Sequence, residues 1–225
     1  MHFEPKYVLQ IPDGFPLLGG MWLTNTVIST WIIMVILVLI SIFITRNLKE
    51  VPEGKQNFAE TIVDGINGLV IQTMGKDKLF FAPYMGTLLM YLAFANLSGL
   101  LGMRPPTADL NTTFSLSLMT FFMTQYYGMK SKKLGYLKGF GEPFIFMLPT
   151  NIVGELANPI SLSFRLFGNI LAGVVIMTLV YSAMGHFAFV LPAVLHAYFD
   201  VFSGLIQTFI FVMLSMVFIA MAMDD

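Results

Sequence analysis

Residues 161–169, SLSFRLFGN, place an arginine inside a long apolar run. The segment PISLSF leads up to Arg165, and LFGNILAGVVIMTLVY follows it. Arginine is among the most costly side chains to place in apolar surroundings, and ionisable residues inside a membrane are usually functional. The sequence therefore raises two questions, namely which solvent surrounds this run and what the arginine does there.

The composition indicates that the solvent is lipid. Of the 225 residues, 56% are hydrophobic and 11% are charged, whereas charged residues make up about 25% of a typical soluble domain. The net charge of −1 gives no indication of nucleic-acid binding, and the absence of cysteine excludes disulfides and cysteine-ligated metals. The three histidines are too scattered for a metal-ligand motif, so the sequence predicts neither a metal nor a cofactor.

Three uncharged stretches predict membrane-spanning helices, since a helix needs about 20 apolar residues to cross a bilayer. They cover residues 21–45, 79–103 and 110–129. Between the first two, residues 57–74 carry apolar side chains at helical spacing, with Glu60, Asp64 and Asn67 on the opposite face. This pattern predicts an amphipathic helix that lies on the membrane surface or against partner helices.

The C-terminal part of the chain predicts two unusually long helices, near residues 144–184 and 192–222, separated by Gly185–His186 and Pro192. At a rise of 1.5 Å per residue they would measure about 60 Å and about 45 Å, whereas the hydrocarbon core of a bilayer is about 30 Å thick. Such helices must tilt, kink at a proline or run partly along the membrane. The fold class predicted for residues 1–225 is thus a single all-α membrane domain, with about five embedded helices and one surface helix.

Basic residues predict the orientation, because cytoplasmic loops of membrane proteins are enriched in lysine and arginine. If the spans alternate, nine basic residues share one side: Arg46, Lys49, Lys55, Lys76, Lys78, Lys130, Lys132, Lys133 and Lys138. The opposite side holds only Lys6 and Arg104. The N-terminus is therefore predicted outside and the C-terminus in the cytoplasm.

Each of the two long helices carries one narrow stripe of polar and small residues. The first stripe contains Glu155, Asn158, Ser161, Arg165 and Asn169, and the second contains His196, Asp200, Ser203 and Gln207. Spacings of three and four align the members on one helical face, and small residues allow a close approach of another helix. The two stripes predict an antiparallel helix pair around an aqueous path.

The charge of Arg165 suggests how such a path could work. Arginine stays protonated in proteins, so it cannot shuttle protons, but it holds a fixed positive charge. It would favour the ionised form of a carboxylate arriving opposite it and would repel passing cations. Nothing in this chain obviously supplies a mobile carboxylate, so a partner subunit would have to. The alternative is that Arg165, Asp200 and Glu155 only lock helix packing by pairing.

The segment NPISLSFRLFGNILAG, residues 158–173, resembles the signature of the a subunit in the membrane sector of F-type ATP synthases. The closing stretch FSGLIQTFIFVMLSMVFIAMAM resembles the last helix of the same family. The order of predicted helices fits that family over nearly the whole chain. The resemblance implies that Arg165 faces a rotating ring of c subunits, each with one ion-binding carboxylate. It also implies two aqueous half-channels that deliver and remove the coupling ion, H⁺ or Na⁺.

The resemblance also assigns expected roles to other residues and partners. Asn169 and Gln207 match polar positions that accompany the arginine, while the expected half-channel lining comprises Glu155, Asn158, His196, Asp200 and Ser203. The implied partners are the c-ring, the b subunit of the peripheral stalk and the lipid of a bacterial plasma membrane. The chain itself would hold no catalytic site.

Two positions depart from the family pattern. Many members carry an acidic residue after the Ala-Gly that follows the arginine motif, and this chain has Val174 there. Many members also have a histidine seven residues before the glutamine, where this chain has Asp200. We hypothesise that the acid has moved from one facing helix to the other.

Two other functional classes compete with this interpretation. A stand-alone secondary transporter could bind an anionic substrate at Arg165, but it would be expected to contain paired repeats with interrupted helices, and the arginine motif occurs once. A membrane-embedded enzyme would need a nucleophile–base pair or a metal cluster in the spans. The lack of cysteine and of clustered histidine disfavours this third class.

Overall fold

The computed structural model describes residues 7–10, 22–46, 48–49, 54–133, 135–136, 144–184 and 190–224. Predictions that concern Lys6, Lys138, the break at Gly185–His186 and the start of the first span at residue 21 lie outside the described residues.

Helices dominate the described chain, which confirms the all-α fold class. The main helices are α1 (Asn25–Thr45), α2 (Lys55–Met74), α3 (Ala82–Leu97), α4 (Leu110–Lys132), α5 (Leu148–Met184), α6 (Val190–His196) and α7 (Gly204–Met223). A π-helical segment, Ala197–Ser203, joins α6 to α7 without a break. Shorter 3₁₀ turns occupy Lys76–Phe81, Ser98–Leu101, Pro106–Ala108 and Ile145–Met147.

A short antiparallel sheet precedes α1, and the sequence pattern did not predict it. Strand β1 (Tyr7–Gln10) pairs with β2 (Trp22–Thr24), which runs directly into α1. The first membrane helix therefore begins at Asn25, although the apolar run begins earlier. Trp22 and Thr24 are residue types that favour strands, and apolarity alone does not distinguish a short strand from the first turn of a spanning helix.

Among the described residues, four helical segments are long and apolar enough to cross a bilayer: Asn25–Thr45, Lys76–Leu101, Leu148–Met184 and Leu191–Met223. Helix α4 was also predicted to span, and its 23 residues give a length of about 35 Å. It is more polar than the other four because threonine and serine line one face. That face is buried, with Thr113 Oγ1 3.1 Å from Ser163 Oγ and Thr120 Oγ1 3.2 Å from Ser215 Oγ. These contacts turn the polar face of α4 toward α5 and α7.

The two long helices predicted near the C-terminus are present, with one correction. Helix α5 has 37 residues and continues through Pro159, so it is about 55 Å long and cannot stand upright within a bilayer. The described part of the second long helix starts at Val190, close to the predicted start near residue 192. It also changes to π-helical hydrogen bonding over Ala197–Ser203. Sequence periodicity of 3.6 does not reveal such a change, because a π segment adds one residue to the turn.

The core lies where α3, α4, α5 and α7 meet. Its fully buried side chains include Leu92, Leu166, Phe211, Met216 and Ile219. Helix α2 corresponds to the predicted amphipathic helix and packs on α3 and α7. Its Val70 is buried, whereas Glu60 and Asp64 are exposed as predicted. Helix α1 is peripheral, since Thr26 and Ile33 are its only buried described side chains.

One end of the bundle holds the end of α7, the end of α4 and the turn before α3. Lys78, in the turn before α3, forms an ion pair with Asp224 after α7. Ser131, at the end of α4, donates a hydrogen bond to the carbonyl of Met223 at 3.0 Å. The starts of α3 and the ends of α4 and α7 therefore share one end, as alternating spans predict. That this end is cytoplasmic stays a prediction from the charge rule.

The buried side-chain amide of Asn96 links several segments near the other end of the bundle. Asn96 in α3 is 1% exposed, and its Nδ2 donates to the carbonyl of Gly204 at 3.0 Å and to Thr208 Oγ1 at 2.8 Å. Its Oδ1 accepts a hydrogen bond from Thr107 Oγ1 at 2.6 Å. This network ties α3, the Pro106–Ala108 turn and α7 together.

We expect Asn96→Ala to lower the free energy of unfolding by about 1–3 kcal/mol, because it leaves the buried hydroxyl of Thr107 without its acceptor. Thermal or denaturant unfolding in detergent measures the change. Asn57→Ala is the matched control, since Asn57 is exposed on α2 and should shift stability by less than about 0.5 kcal/mol. If the two variants were equally stable, the hydrogen-bond network of Asn96 would not contribute to the free energy of unfolding.

Candidate functional site

Arg165 projects away from the helix bundle. It is exposed, as are Ser161 and Asn169 on the same face of α5. The opposite face of α5 is anchored in the core by Leu162 and Leu166, which are 2% and 0% exposed. No acidic side chain in the described part of the chain forms an ion pair with Arg165. An uncompensated charge on an apolar helix is costly in lipid, so this face requires water or a charged partner.

The two polar stripes meet beside the arginine. Asn169, one turn from Arg165 on α5, donates from Nδ2 to Ser203 Oγ at 3.1 Å and to Gln207 Oε1 at 3.4 Å. Gln207 is buried at the start of α7, with 4% of its surface exposed. The structure thus brings together Asn169, Ser203 and Gln207, three residues that the sequence had only placed on separate helices.

Helix α5 runs antiparallel to α6, the π segment and α7. Further along the pair, a Cβ added at Gly173 would lie 3.2 Å from the Cβ of Phe199, and Tyr181 Oη lies 3.0 Å from His196 Nε2. The glycine therefore permits the close approach of the two helices that the small-residue pattern predicted.

Asp200 lies on the π-helical segment and makes two close contacts. Its Oδ2 forms a hydrogen bond with Nδ1 of His196, one turn earlier. Its carboxylate also lies over Gly99, where an added Cβ would be 2.9 Å from the carboxyl carbon. π-helical turns are rare and frequently occur at functional sites. Tyr181, His196 and Asp200 form a continuous polar group, which we call the aspartate cluster.

Glu155 belongs to a separate group near the other end of α5, which we call the glutamate cluster. Its Oε1 accepts from Gln125 Nε2 at 2.9 Å, and its Oε2 accepts from Asn158 Nδ2 at 3.4 Å. Tyr136 donates to Gln125 Oε1 at 3.2 Å. Burial, together with the nearby Glu155 carboxylate, raises the pKa of the Tyr136 hydroxyl, so Tyr136 remains a donor at neutral pH.

The glutamate cluster opens into a cleft of about 1180 Å³ between α4, α5 and the end of α7. Polar side chains at its edge include Ser131, Lys132 and Asn151. Because Lys132 and the end of α7 lie at the end of the bundle that holds the C-terminus, this cleft opens toward that end.

The structure therefore divides the eight predicted site residues into two clusters and a junction. Along α5, Glu155 precedes Arg165 by ten residues, about 15 Å, and Tyr181 follows it by sixteen, about 24 Å. The junction holds Arg165 with Asn169, Ser203 and Gln207. Neither carboxylate is placed to neutralise the arginine.

Sequence reasoning missed several residues of these clusters: Gln125, Tyr136, Tyr181 and Gly99. A glutamine inside the predicted span 110–129 was a usable signal, since amides in membrane helices usually form hydrogen bonds across helices. Gly99 gave no such signal, because a glycine near a helix end has many ordinary explanations.

A family model described as the ATP synthase A chain matches residues 27–220, an interval that contains every residue of both clusters and of the junction. The chain belongs to the ATP synthase A chain family.

Relatives in this family resemble the chain over most of its length. It is 37% identical to the sodium-ion-specific ATP synthase subunit a of Propionigenium modestum, over 98% of this chain and 82% of the relative. It is 40% identical to an ATP synthase subunit a of a Bradyrhizobium species, over 92% of each chain. A third relative, ATP synthase subunit a of Trichlorobacter lovleyi, is 36% identical over 89% of this chain and 88% of its own length. Membership of this family makes the chain a membrane-sector subunit of an ATP synthase.

We expect Gly99→Ala to lower ion-driven ATP synthesis by roughly 2- to 10-fold, because the new methyl group would force the Asp200 side chain off its rotamer. The rate is measured in the intact complex reconstituted into vesicles. Gly68→Ala is the control, since a Cβ there meets nothing within 4 Å. If the two variants synthesise ATP equally fast, the position of Asp200 does not matter for the rate.

Proposed function

We propose that this subunit is the ion-translocating stator of its ATP synthase. In this proposal Arg165 separates two aqueous half-channels, which pass H⁺ or Na⁺ to and from the carboxylates of a rotating c-ring. The observation that carries the proposal is the exposure of Arg165 on the outer face of α5, without an acidic partner in the described part of the chain.

A permanent positive charge at this position would control the protonation or ion loading of the partner's carboxylate. An opposite charge within about 4–6 Å favours the ionised form of a carboxylate. A ring carboxylate that reaches Arg165 must therefore release its ion, and it takes up another after it has passed. The same charge repels a cation that would leak directly between the half-channels.

The glutamate cluster and its cleft would form one half-channel. The cleft is open and is lined in part by polar side chains. Glu155 and Asn158 lie in it and precede Arg165 along α5. It opens toward the end of the bundle that holds the ends of α4 and α7. With the predicted orientation, this half-channel communicates with the cytoplasm.

The aspartate cluster would form the other half-channel. Tyr181, His196 and Asp200 provide a chain of hydrogen-bonding groups on the far side of Arg165. Asn169, Ser203 and Gln207 then continue the polar surface to the arginine. Since these groups can solvate either ion, we expect selectivity for H⁺ or Na⁺ to be set mainly by the carboxylate site of the partner.

The c-ring is the proposed partner of the arginine face because it supplies a moving carboxylate, which this chain lacks. The family resemblance adds a peripheral-stalk b subunit as a second expected partner. A secondary transporter of an anionic substrate would instead hold its arginine in an enclosed site between helices, and here the guanidinium lies on the outer face.

We expect Arg165→Ala to lower ion-driven ATP synthesis by at least about thirtyfold, the loss typical of removing one partner from a desolvated charge pair. Arg165→Lys should retain part of the rate, because it keeps the charge but not the planar guanidinium. Lys76→Gln, at an exposed basic residue in the turn before α3, is the control. Synthesis at the normal rate in an assembled complex with Arg165→Ala would overturn the proposal.

We expect Asp200→Asn to lower the same rate by about tenfold or more, because it removes a charge-assisted hydrogen bond to His196. If the acid has moved between the facing helices, the double variant Val174→Glu with Asp200→His should recover much of the rate. Unchanged synthesis with Asp200→Asn would contradict a role in ion passage. If the double variant does not recover the rate, only the hypothesis that the acid has moved between the helices is contradicted.

A further inference from the structure

The end of α3 contacts the π-helical segment at two points, and only one of them, at Asp200, belongs to the proposed half-channel. The carboxylate of Asp200 lies against Gly99, where an added Cβ would be 2.9 Å from the carboxyl carbon. Three residues before Gly99, Asn96 donates from Nδ2 to the carbonyl of Gly204 at 3.0 Å. Gly204 is the residue at which the π-helical segment, Ala197–Ser203, passes into α7. The same short stretch of chain therefore contacts both the acid and the end of the segment that carries it.

Gly204 joins the two kinds of helical hydrogen bonding. Its backbone N–H donates to the carbonyls of Phe199 and Val201, and the bond to Phe199 spans five residues, as in a π-helix. A Cβ added at Gly204 would lie 3.2 Å from the Cβ of Asn96, so the absence of a side chain allows α3 to approach. Asn96 also donates to Thr208 Oγ1 at 2.8 Å, and this hydroxyl donates to the Gly204 carbonyl at 2.9 Å. The amide thus holds the junction between the π and α segments through two acceptors.

The place where the π turn ends decides where the Asp200 side chain points. A π turn contains one residue more than an α turn, and one residue of an α-helix corresponds to a rotation of about 100°. If the π turn relaxed to the α form, the segments on its two sides would rotate relative to each other by about that angle. Helix α7 is held in the core by Phe211 and Met216, so the rotation would fall on the π segment. It would carry the carboxylate of Asp200 away from Gly99.

The hydrogen bond of Asp200 to His196 does not hold the segment in register. His196 lies four residues earlier on the same continuous helix, so it would move together with Asp200. Its link to α5 runs through Tyr181, which is exposed. Asn96, in contrast, is 1% exposed, and water cannot replace its hydrogen bonds without opening the bundle. The buried amide is therefore the contact best placed to fix the junction.

We propose that Asn96 is a positioning residue for Asp200. By holding the carbonyl of Gly204, it fixes where the π turn ends and keeps the Asp200 carboxylate over Gly99. This inference rests on the proposed function, because the position of Asp200 matters for ion passage only if Asp200 lines the half-channel. The role is separate from the contribution of Asn96 to stability, since it predicts a slower rate in complexes that are fully assembled.

A double-mutant cycle on ion-driven ATP synthesis tests this role in the intact complex reconstituted into vesicles. We expect Asn96→Ala to lower the rate per assembled complex about fivefold, but by less than about 1.5-fold when Asp200→Asn is already present, because coupled residues are not additive. Gly204→Ala disturbs the same contact from the other side. It should show the same dependence on Asp200, and it replaces Asn96→Ala in the cycle if that variant does not assemble.

Thr107→Val is the matched control. It removes the 2.6 Å hydrogen bond to Asn96 Oδ1 and leaves the bond from Nδ2 to the Gly204 carbonyl in place. It should therefore lower stability to a degree similar to Asn96→Ala, but it should keep at least about half of the rate of synthesis. The control separates the loss of a buried hydrogen bond from the loss of the contact that holds the junction.

A cryo-EM structure of the variant complex gives a readout that does not depend on ion passage. We expect the Asp200 carboxylate to leave Gly99 and the π turn to shift or close. An unchanged position of Asp200 overturns the proposal, as does a loss of rate that is the same with and without Asp200→Asn, or the same for Thr107→Val. If Asp200→Asn alone leaves the rate unchanged, the role of Asp200 in ion passage fails, and the structure of the variant decides whether Asn96 positions it.

Discussion

The positive charge of Arg165 on an apolar helix face is the constraint on which the rest of the structure depends. Leu162 and Leu166 hold the opposite face of α5 in the core, so the arginine cannot turn inward. Lipid solvates a guanidinium poorly, which means that this surface requires water or a negatively charged neighbour. The fold thus holds a positive charge at a fixed place and provides no acidic partner for it among the described residues.

The arrangement of the two carboxylates keeps that charge available. Glu155 accepts hydrogen bonds from the neutral amides of Gln125 and Asn158, and Asp200 pairs with His196 on its own helix. Each acid therefore has partners other than the arginine, and Glu155 lies about 15 Å from it along α5. If either carboxylate lay opposite Arg165, the resulting ion pair would satisfy both groups and would leave nothing for a moving partner to displace.

Sequence periodicity could predict the features that depend only on residues close together in the sequence. The length of α5, the amphipathic helix α2 and the two polar stripes all follow from spacing along one helix. The contacts of Gln125 with Glu155 and of Gly99 with Asp200 join residues 30 and 101 positions apart, and nothing in either local pattern specifies such a pairing. The structural role of the buried Asn96 was missed for the same reason. Its hydrogen bonds join it to Thr107 and Thr208, which are not part of its local sequence pattern. The π-helical segment and strand β2 were missed because their sequences also fit an ordinary apolar helix.

The length of α5 explains how one helix serves both sides of the membrane. Glu155 and Tyr181 are 26 residues apart, which corresponds to about 39 Å, whereas the hydrocarbon core is about 30 Å thick. The glutamate and aspartate clusters can therefore reach the two aqueous boundaries while Arg165 stays between them in the apolar region. A helix of ordinary length would bring one cluster toward the arginine and would shorten the barrier between the two paths. The surplus length thus separates Arg165 from the glutamate cluster on one side and from Tyr181 on the other.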